Sequence, residues 1–188
     1  MDISAVSLPE TIYHNDPGFG LMDMVRMTRT VVAERPEHTY TKRWMYSLDD
    51  EDDGGAYACR YLWHEDEGEW CPDCVMGHVM VRLGVTLDRI LGFEGSSIRQ
   101  VLYLLFDPLD RRVFDRRPEM TWLRYVQIWQ DDDGGCAGAG GQSWGAAVAS
   151  ADLTIVNMFG HSKRLGIEWN PDQAQPFGPF SEETSGKN

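Results

Sequence analysis

The chain has 188 residues, a formal net charge of −13 and 42% hydrophobic residues. This length and composition suit a single domain with a substantial core. No apolar run approaches the length of a membrane span, and so negative a chain disfavours direct binding to nucleic acid. The first residues have no basic start before an apolar stretch, so we expect a cytoplasmic protein with reduced thiols.

The first half of the chain predicts an arm, a helix and a hairpin. Residues 1–17 contain several turn-forming residues and predict an irregular N-terminal arm. Apolar side chains then recur at helical spacing over about residues 19–34. Beyond the acidic run at 49–53, the aromatic stretch 57–63 predicts a strand, and residues 69–71 predict its short return.

The second half predicts further helices. Helical spacing of apolar residues places them at about 73–83, 87–91, 96–106 and 119–130 and from 143 onward. We interpret residues 109–118 as a charged connection, and 131–142 as a flexible acidic and glycine-rich linker. The sequence therefore predicts a mainly α fold, a compact bundle of about five helices with a small β-hairpin. This single domain would span residues 18–162, followed by a flexible C-terminal tail at 163–188.

Cysteine and histidine residues cluster where the hairpin meets the next helix. Cys71 and Cys74 form a C-x-x-C pair, with Cys74 expected in the first helical turn and His78 one turn later. With Cys59 from the preceding strand, they make a possible tetrahedral zinc site, for which His64 is a substitute ligand. Cysteines packed as small apolar side chains are the favoured alternative, because only one such pair is present. A redox-active pair is the third interpretation, although the βαβ setting typical of it is not visible.

Candidates for catalysis or small-ligand binding are weaker. The chain has neither a G-x-S-x-G nor an H-E-x-x-H motif, so an enzyme is disfavoured. The glycine-rich stretch before the last helix lacks the features of a phosphate-binding loop. An anionic ligand remains an alternative, with a pocket formed by Arg111, Arg112, Trp129 and Trp144.

Three segments resemble small uncharacterised proteins of actinobacteria-infecting phages and their hosts. They are VVAERPEHTY (31–40), then Cys59 and Tyr61 with PDCVMGHVMVRLGV (72–85), then Gln130-Asp131 with SWGAAVASA (143–151). The resemblance implies a mostly helical, phage-type domain and no particular activity. Its pattern includes Cys59, Cys74, Gly77 and His78 but not Cys71, which favours close packing of the helix start on the strand over a zinc site. Gly77 would permit that close approach.

The sequence as a whole predicts a non-enzymatic accessory protein that binds a host or phage macromolecule. Its acidic character favours a basic protein as the partner, without direct binding to nucleic acid or membrane. No cofactor is expected, apart from zinc if the cysteines and His78 converge. A zinc-stabilised module, or a zinc-dependent enzyme with Glu65 or Glu69 as the acid, is the first alternative.

Overall fold

The computed structural model describes residues 14–40, 60–64, 68–131, 141–160 and 163–166. Within these ranges the chain is mainly α-helical with one two-stranded antiparallel sheet, which confirms the predicted fold class. In chain order the elements are α1 (Leu21–Glu34), β1 (Leu62–Trp63), β2 (Cys71–Pro72), α2 (Val75–Arg82), α3 (Leu87–Leu91), α4 (Ile98–Phe106), α5 (Arg111–Asp115), α6 (Pro118–Asp131), α7 (Trp144–Phe159) and a 3₁₀ turn (Lys163–Leu165).

The core lies between α6 and α7, which form the most extensive helix pair, with α1 and α4 packed around them and α2 packed on α1. Its largest fully buried side chains are aromatic residues from several elements: Tyr40, Tyr61, Phe106, Phe114, Trp122 and Trp144. Removing such apolar area from water is the main favourable term in folding. The helical stripes read from the sequence are therefore the surfaces that assemble the bundle.

The hairpin is short, and its return strand ends one residue later than predicted. Leu62 pairs with Pro72, and Trp63 pairs with Cys71, so the return strand is Cys71–Pro72 rather than 69–71. The carboxylate of Glu94 accepts hydrogen bonds from the backbone N–H groups of Tyr61 (3.0 Å) and Leu62 (2.8 Å). The Glu94 side chain therefore takes the place of a third strand, because it accepts from N–H donors on the outer side of the first strand.

The segment predicted as a charged connection contains a helix, α5. The carboxylate of Asp110 accepts hydrogen bonds from the N–H groups of Arg112 (2.8 Å) and Val113 (3.3 Å), which caps the helix start. Phe114 anchors the turn by burying its ring against the core. Helical periodicity does not reveal α5, because five residues contain only one inward-facing position.

Some residues that were assigned to the N-terminal arm and the C-terminal tail also make contacts with the helical domain. The backbone N–H groups of His14 and Asn15 donate to the carbonyls of Asp107 (3.0 Å) and Phe106 (3.3 Å) at the end of α4. At the other terminus, Leu165 is only 2% exposed and belongs to the core. Packed structure therefore begins before residue 18 and continues past residue 162.

Candidate functional site

The two cysteines of the C-x-x-C pair occupy different environments. Cys74 is fully buried and is the N-cap of α2, where its sulfur accepts a hydrogen bond from the N–H of Gly77 at 3.4 Å. It therefore precedes the first helical turn, in which it was predicted to lie. Cys71 is exposed in β2, and its thiol donates to the carbonyl of Glu69 at 3.6 Å. Cys59 and Glu65 lie outside the described residues.

Gly77 brings α2 into direct contact with the residue before β1. A Cβ atom at this position would stand 1.9 Å from the carbonyl oxygen of Tyr61, far inside van der Waals contact. The same carbonyl accepts a hydrogen bond from the N–H of Asp73 at 3.0 Å. The predicted role of Gly77 in the close approach of helix and strand is confirmed.

His78 faces an aromatic neighbour on α7. Its ring centroid lies 5.3 Å from that of Trp144, and the ring of His38 packs 4.4 Å from the same indole. Burial, followed by the nearby charges of Arg35 and Arg82, lowers the pKa of His78 from 6.5 to about 4. His78 is therefore a neutral imidazole at pH 7.

Neutral imidazole and thiolate are the forms that bind zinc, so the chemistry of His78 by itself is compatible with a ligand. In the part of the chain that the structure describes, however, no group of three or more His, Cys, Asp or Glu side chains is arranged to hold a metal ion. Since Cys59 lies outside that part, the four-ligand zinc site remains a prediction.

The start of α7 has no free donors for a phosphate group. The N–H groups of Trp144 and Gly145 donate to the carbonyls of His38 and Pro36, each at 2.8 Å. The Ser143 hydroxyl caps the next turn by accepting from the N–H of Ala146 at 3.3 Å. The carbonyls of the loop that follows α1 thus accept from the N–H groups that would otherwise bind an anion. The start of α7 therefore has a structural role.

The residues predicted to bind an anionic ligand have separate neighbours. Arg111 lies over the ring of Tyr103 at 4.8 Å, and Arg112 is exposed on α5. Trp144 is buried beside the two histidines, whereas Trp129 is half-buried on α6. The contacts described above for the arginines and for Trp144 share no residue, so the described structure gives no support to one pocket made from all four.

The sequence did not predict that two buried glutamines of α6 would cap other helices. The side-chain oxygen of Gln130 accepts a hydrogen bond from the N–H of Val75 at 3.0 Å, and that of Gln127 accepts from the N–H of Ile98 at 2.6 Å. Val75 and Ile98 are the first residues of α2 and α4. Each glutamine therefore caps another helix. The only sequence feature that could have indicated this role is a pair of amide side chains, three residues apart, on the apolar face of α6.

These contacts collect several chain ends at one end of the bundle, which we call the loop end. Tyr40 and Arg60, the flanks of residues 41–59, are joined by a 2.8 Å hydrogen bond from the Arg60 N–H to the Tyr40 hydroxyl. Residues 65–67 lie between the two strands of the hairpin in the sequence. Residues 132–140 are flanked by α6 and by Gln142, whose N–H donates to the carbonyl of Trp129 at 3.1 Å.

The flanks of 41–59 and of 132–140 are also joined to each other. Thr39 forms an antiparallel bridge with Ser143, which links the two pairs of flanks. The hydrogen bond from Val75 to Gln130 links the second of these pairs to the residues that follow the hairpin. Segments 41–59 and 132–140 therefore both begin and end at the loop end.

Comparison of the chain with protein-family models, with curated proteins and with solved structures finds no significant match. The resemblance to phage proteins therefore remains an expectation from the sequence. Among the described helices, none is both long enough and apolar enough to cross a membrane.

Proposed function

We propose that this protein is a non-enzymatic accessory protein that binds a basic protein partner through its loop end. The supporting observation is the distribution of charge. The described residues carry equal numbers of acidic and basic side chains, so the whole net charge of −13 belongs to the remaining segments. Two of those segments, 41–59 and 132–140, are net acidic and begin and end at the loop end.

Clustered like charges act together on a partner. Charges closer than a Debye length, about 8 Å at physiological ionic strength, add their potentials before salt screens them. A basic surface approaching the loop end would be steered toward it, which raises the association rate and disfavours acidic partners such as nucleic acid. The neutral helical bundle would then act as the scaffold that holds the acidic segments together.

The resemblance to proteins of actinobacteria-infecting phages belongs to the same proposal. It adds that the partner is a host or phage macromolecule and that binding takes place in the host cytoplasm. Neither point follows from the fold, because a helical bundle serves many functions.

The proposal is tested with two charge-neutralised variants of the whole protein. Asp49→Asn with Asp50→Asn removes charge from a loop-end segment. Asp88→Asn with Asp107→Asn removes the same charge from exposed positions at the start of α3 and the end of α4. Each protein is immobilised and used to capture proteins from a bacterial lysate at low and high ionic strength, and duplex DNA serves as an acidic control ligand.

We expect a basic protein that is retained at low ionic strength, is released at high ionic strength and binds the first variant less well than the control variant. DNA should not bind. Capture of no basic protein at low ionic strength would contradict the proposal, as would equal weakening in the two variants.

A further inference from the structure

The short helix α5 presents basic and apolar side chains together. Leu109, just before it, is 58% exposed, and Val113, within it, is 40% exposed. Arg111, Arg112 and Arg116 are exposed around them. Among the described residues, none of these three arginines forms an ion pair with a carboxylate. We call these five residues the α5 surface.

The described chain ends close to this surface. The guanidinium Nε of Arg164 lies 3.2 Å from a carboxylate oxygen of Glu119, and Arg117 contacts the same oxygen at 3.3 Å. Arg117 directly follows Arg116 of the α5 surface, and burial of Leu165 fixes the 3₁₀ turn in place. The described part of the chain therefore ends at Gly166, close to the junction of α5 and α6.

The sequence from residue 167 onward complements the α5 surface in both charge and hydrophobicity. This stretch contains four carboxylates, Glu168, Asp172, Glu182 and Glu183, and one basic side chain, Lys187. Four large apolar residues accompany them: Ile167, Trp169, Phe177 and Phe180. An extended chain advances by at most about 3.6 Å per residue, so Trp169 reaches roughly 10 Å from Gly166. A helix of five residues is only about 7.5 Å long.

We propose that residues 167–183 dock on the α5 surface of their own chain. Their apolar side chains cover Leu109 and Val113, and their carboxylates pair with Arg111, Arg112 and Arg116. Tethering makes this contact intramolecular, so its occupancy does not depend on protein concentration. The docked segment would shield the basic surface from the acidic segments of neighbouring copies.

Hydrogen–deuterium exchange of the full chain tests the proposal. Peptides covering residues 167–183 should exchange about tenfold or more slowly than an unstructured chain, since docking protects their amides. Val113→Asp and the double variant Arg112→Glu with Arg116→Glu should each remove this protection. Leu87→Asp and Arg89→Glu, at exposed positions of α3, are the matched controls and should leave it unchanged.

A reciprocal variant acts from the other side of the contact. Trp169→Ala with Phe180→Ala leaves the described bundle intact and should speed exchange in the α5 peptide by a similar factor. Exchange of residues 167–183 at the unstructured rate in the unsubstituted protein would overturn the proposal. Protection that grows with protein concentration would also overturn it, because the occupant would then be a second copy of the chain.

Discussion

The side-chain oxygen of Gln130 accepts a hydrogen bond from the backbone N–H of Val75 at 3.0 Å, between residues 55 positions apart. Gln130 is fully buried, so no water can replace it at the first turn of α2. This contact joins the end of α6 to the start of α2. It shows that one buried amide can hold together two of the chain segments that form the loop end.

Gln130→Met should destabilise the protein by about 1–3 kcal/mol, because the N–H of Val75 would remain buried without an acceptor. Urea unfolding followed by circular dichroism measures the change. Gln100→Met is the control: it removes an amide that bonds the exposed N–H of Ser97, which water can satisfy. Equal changes in the free energy of unfolding for the two substitutions would mean that the buried hydrogen bond contributes no more than the exposed one.

Gly77→Ala should be among the most destabilising single substitutions in the chain. The added Cβ would stand 1.9 Å from the backbone oxygen of Tyr61, so helix and strand must separate and the core between them must open. Overpacking of this kind costs about 3 kcal/mol or more. Gly20→Ala, where the nearest atom is a side-chain oxygen 3.6 Å away, should change the melting temperature little. A stable, fully helical Gly77→Ala protein would contradict the close approach.

Stability should fall as the pH is lowered from about 6.5 to about 4, in part because of His78. Burial lowers the pKa of this histidine in the folded state, so the unfolded chain binds the proton more tightly within this window. His78 favours folding fully above the window and loses that contribution as the pH falls through it. Because the ring is partly exposed, we expect an effect of about 1 kcal/mol after allowing for solvent screening.

His78→Gln should flatten this part of the pH–stability curve, as measured by urea unfolding at several pH values. His38→Gln is the comparison variant, since His38 packs on the same indole but is exposed. If the two variants and the unsubstituted protein show the same slope between pH 4 and 6.5, then His78 does not carry the pH dependence.

The ion pair between Arg29 and Asp152 should contribute more than any exposed pair. Its guanidinium donates two hydrogen bonds, at 2.6 and 3.1 Å, to a carboxylate that also accepts from the indole of Trp122 at 2.6 Å. Both charged side chains are only 13% exposed. Arg29→Met leaves a nearly buried carboxylate without its cation, which we expect to cost about 3–5 kcal/mol.

Arg82→Met provides the control for that prediction. Arg82 pairs with Glu34 through two hydrogen bonds, but both side chains are well exposed. Exposed pairs contribute about 0–1 kcal/mol and weaken in salt. Unfolding measured at low and high salt should therefore separate the two substitutions, and a small, salt-sensitive effect of Arg29→Met would count against the buried pair.

Local patterns predicted the helices and the hairpin, because each element depends on neighbours within a few residues. Ser96 and Ser97 both precede α4 as possible caps, and the structure pairs Ser97 with Gln100 in a capping box. The predicted helix starts differ from the observed ones by no more than two residues. Helix α5 was missed, because Asp110 and a single buried ring, that of Phe114, stabilise it rather than a repeating stripe.

The predicted sites depended on long-range contacts that spacing does not contain. Cys71 and Cys74 are three positions apart, yet one thiol is exposed and the other caps a helix within the core. Arg111 and Trp144 were assigned to one pocket, but Arg111 lies on Tyr103 and Trp144 lies between two histidines. Residue type suggested the chemistry, and the packing of helices placed the side chains in different surroundings.

The sequence by itself determined a mainly helical chain with a hairpin and a strongly negative net charge. These properties follow from periodicity, composition and turn chemistry, which are local. Only the tertiary structure decided that Gln127 and Gln130 cap other helices and that the flanks of two acidic segments meet at one end. Those outcomes require buried polar groups from distant parts of the chain to satisfy one another, and this requirement arises only once the helices pack.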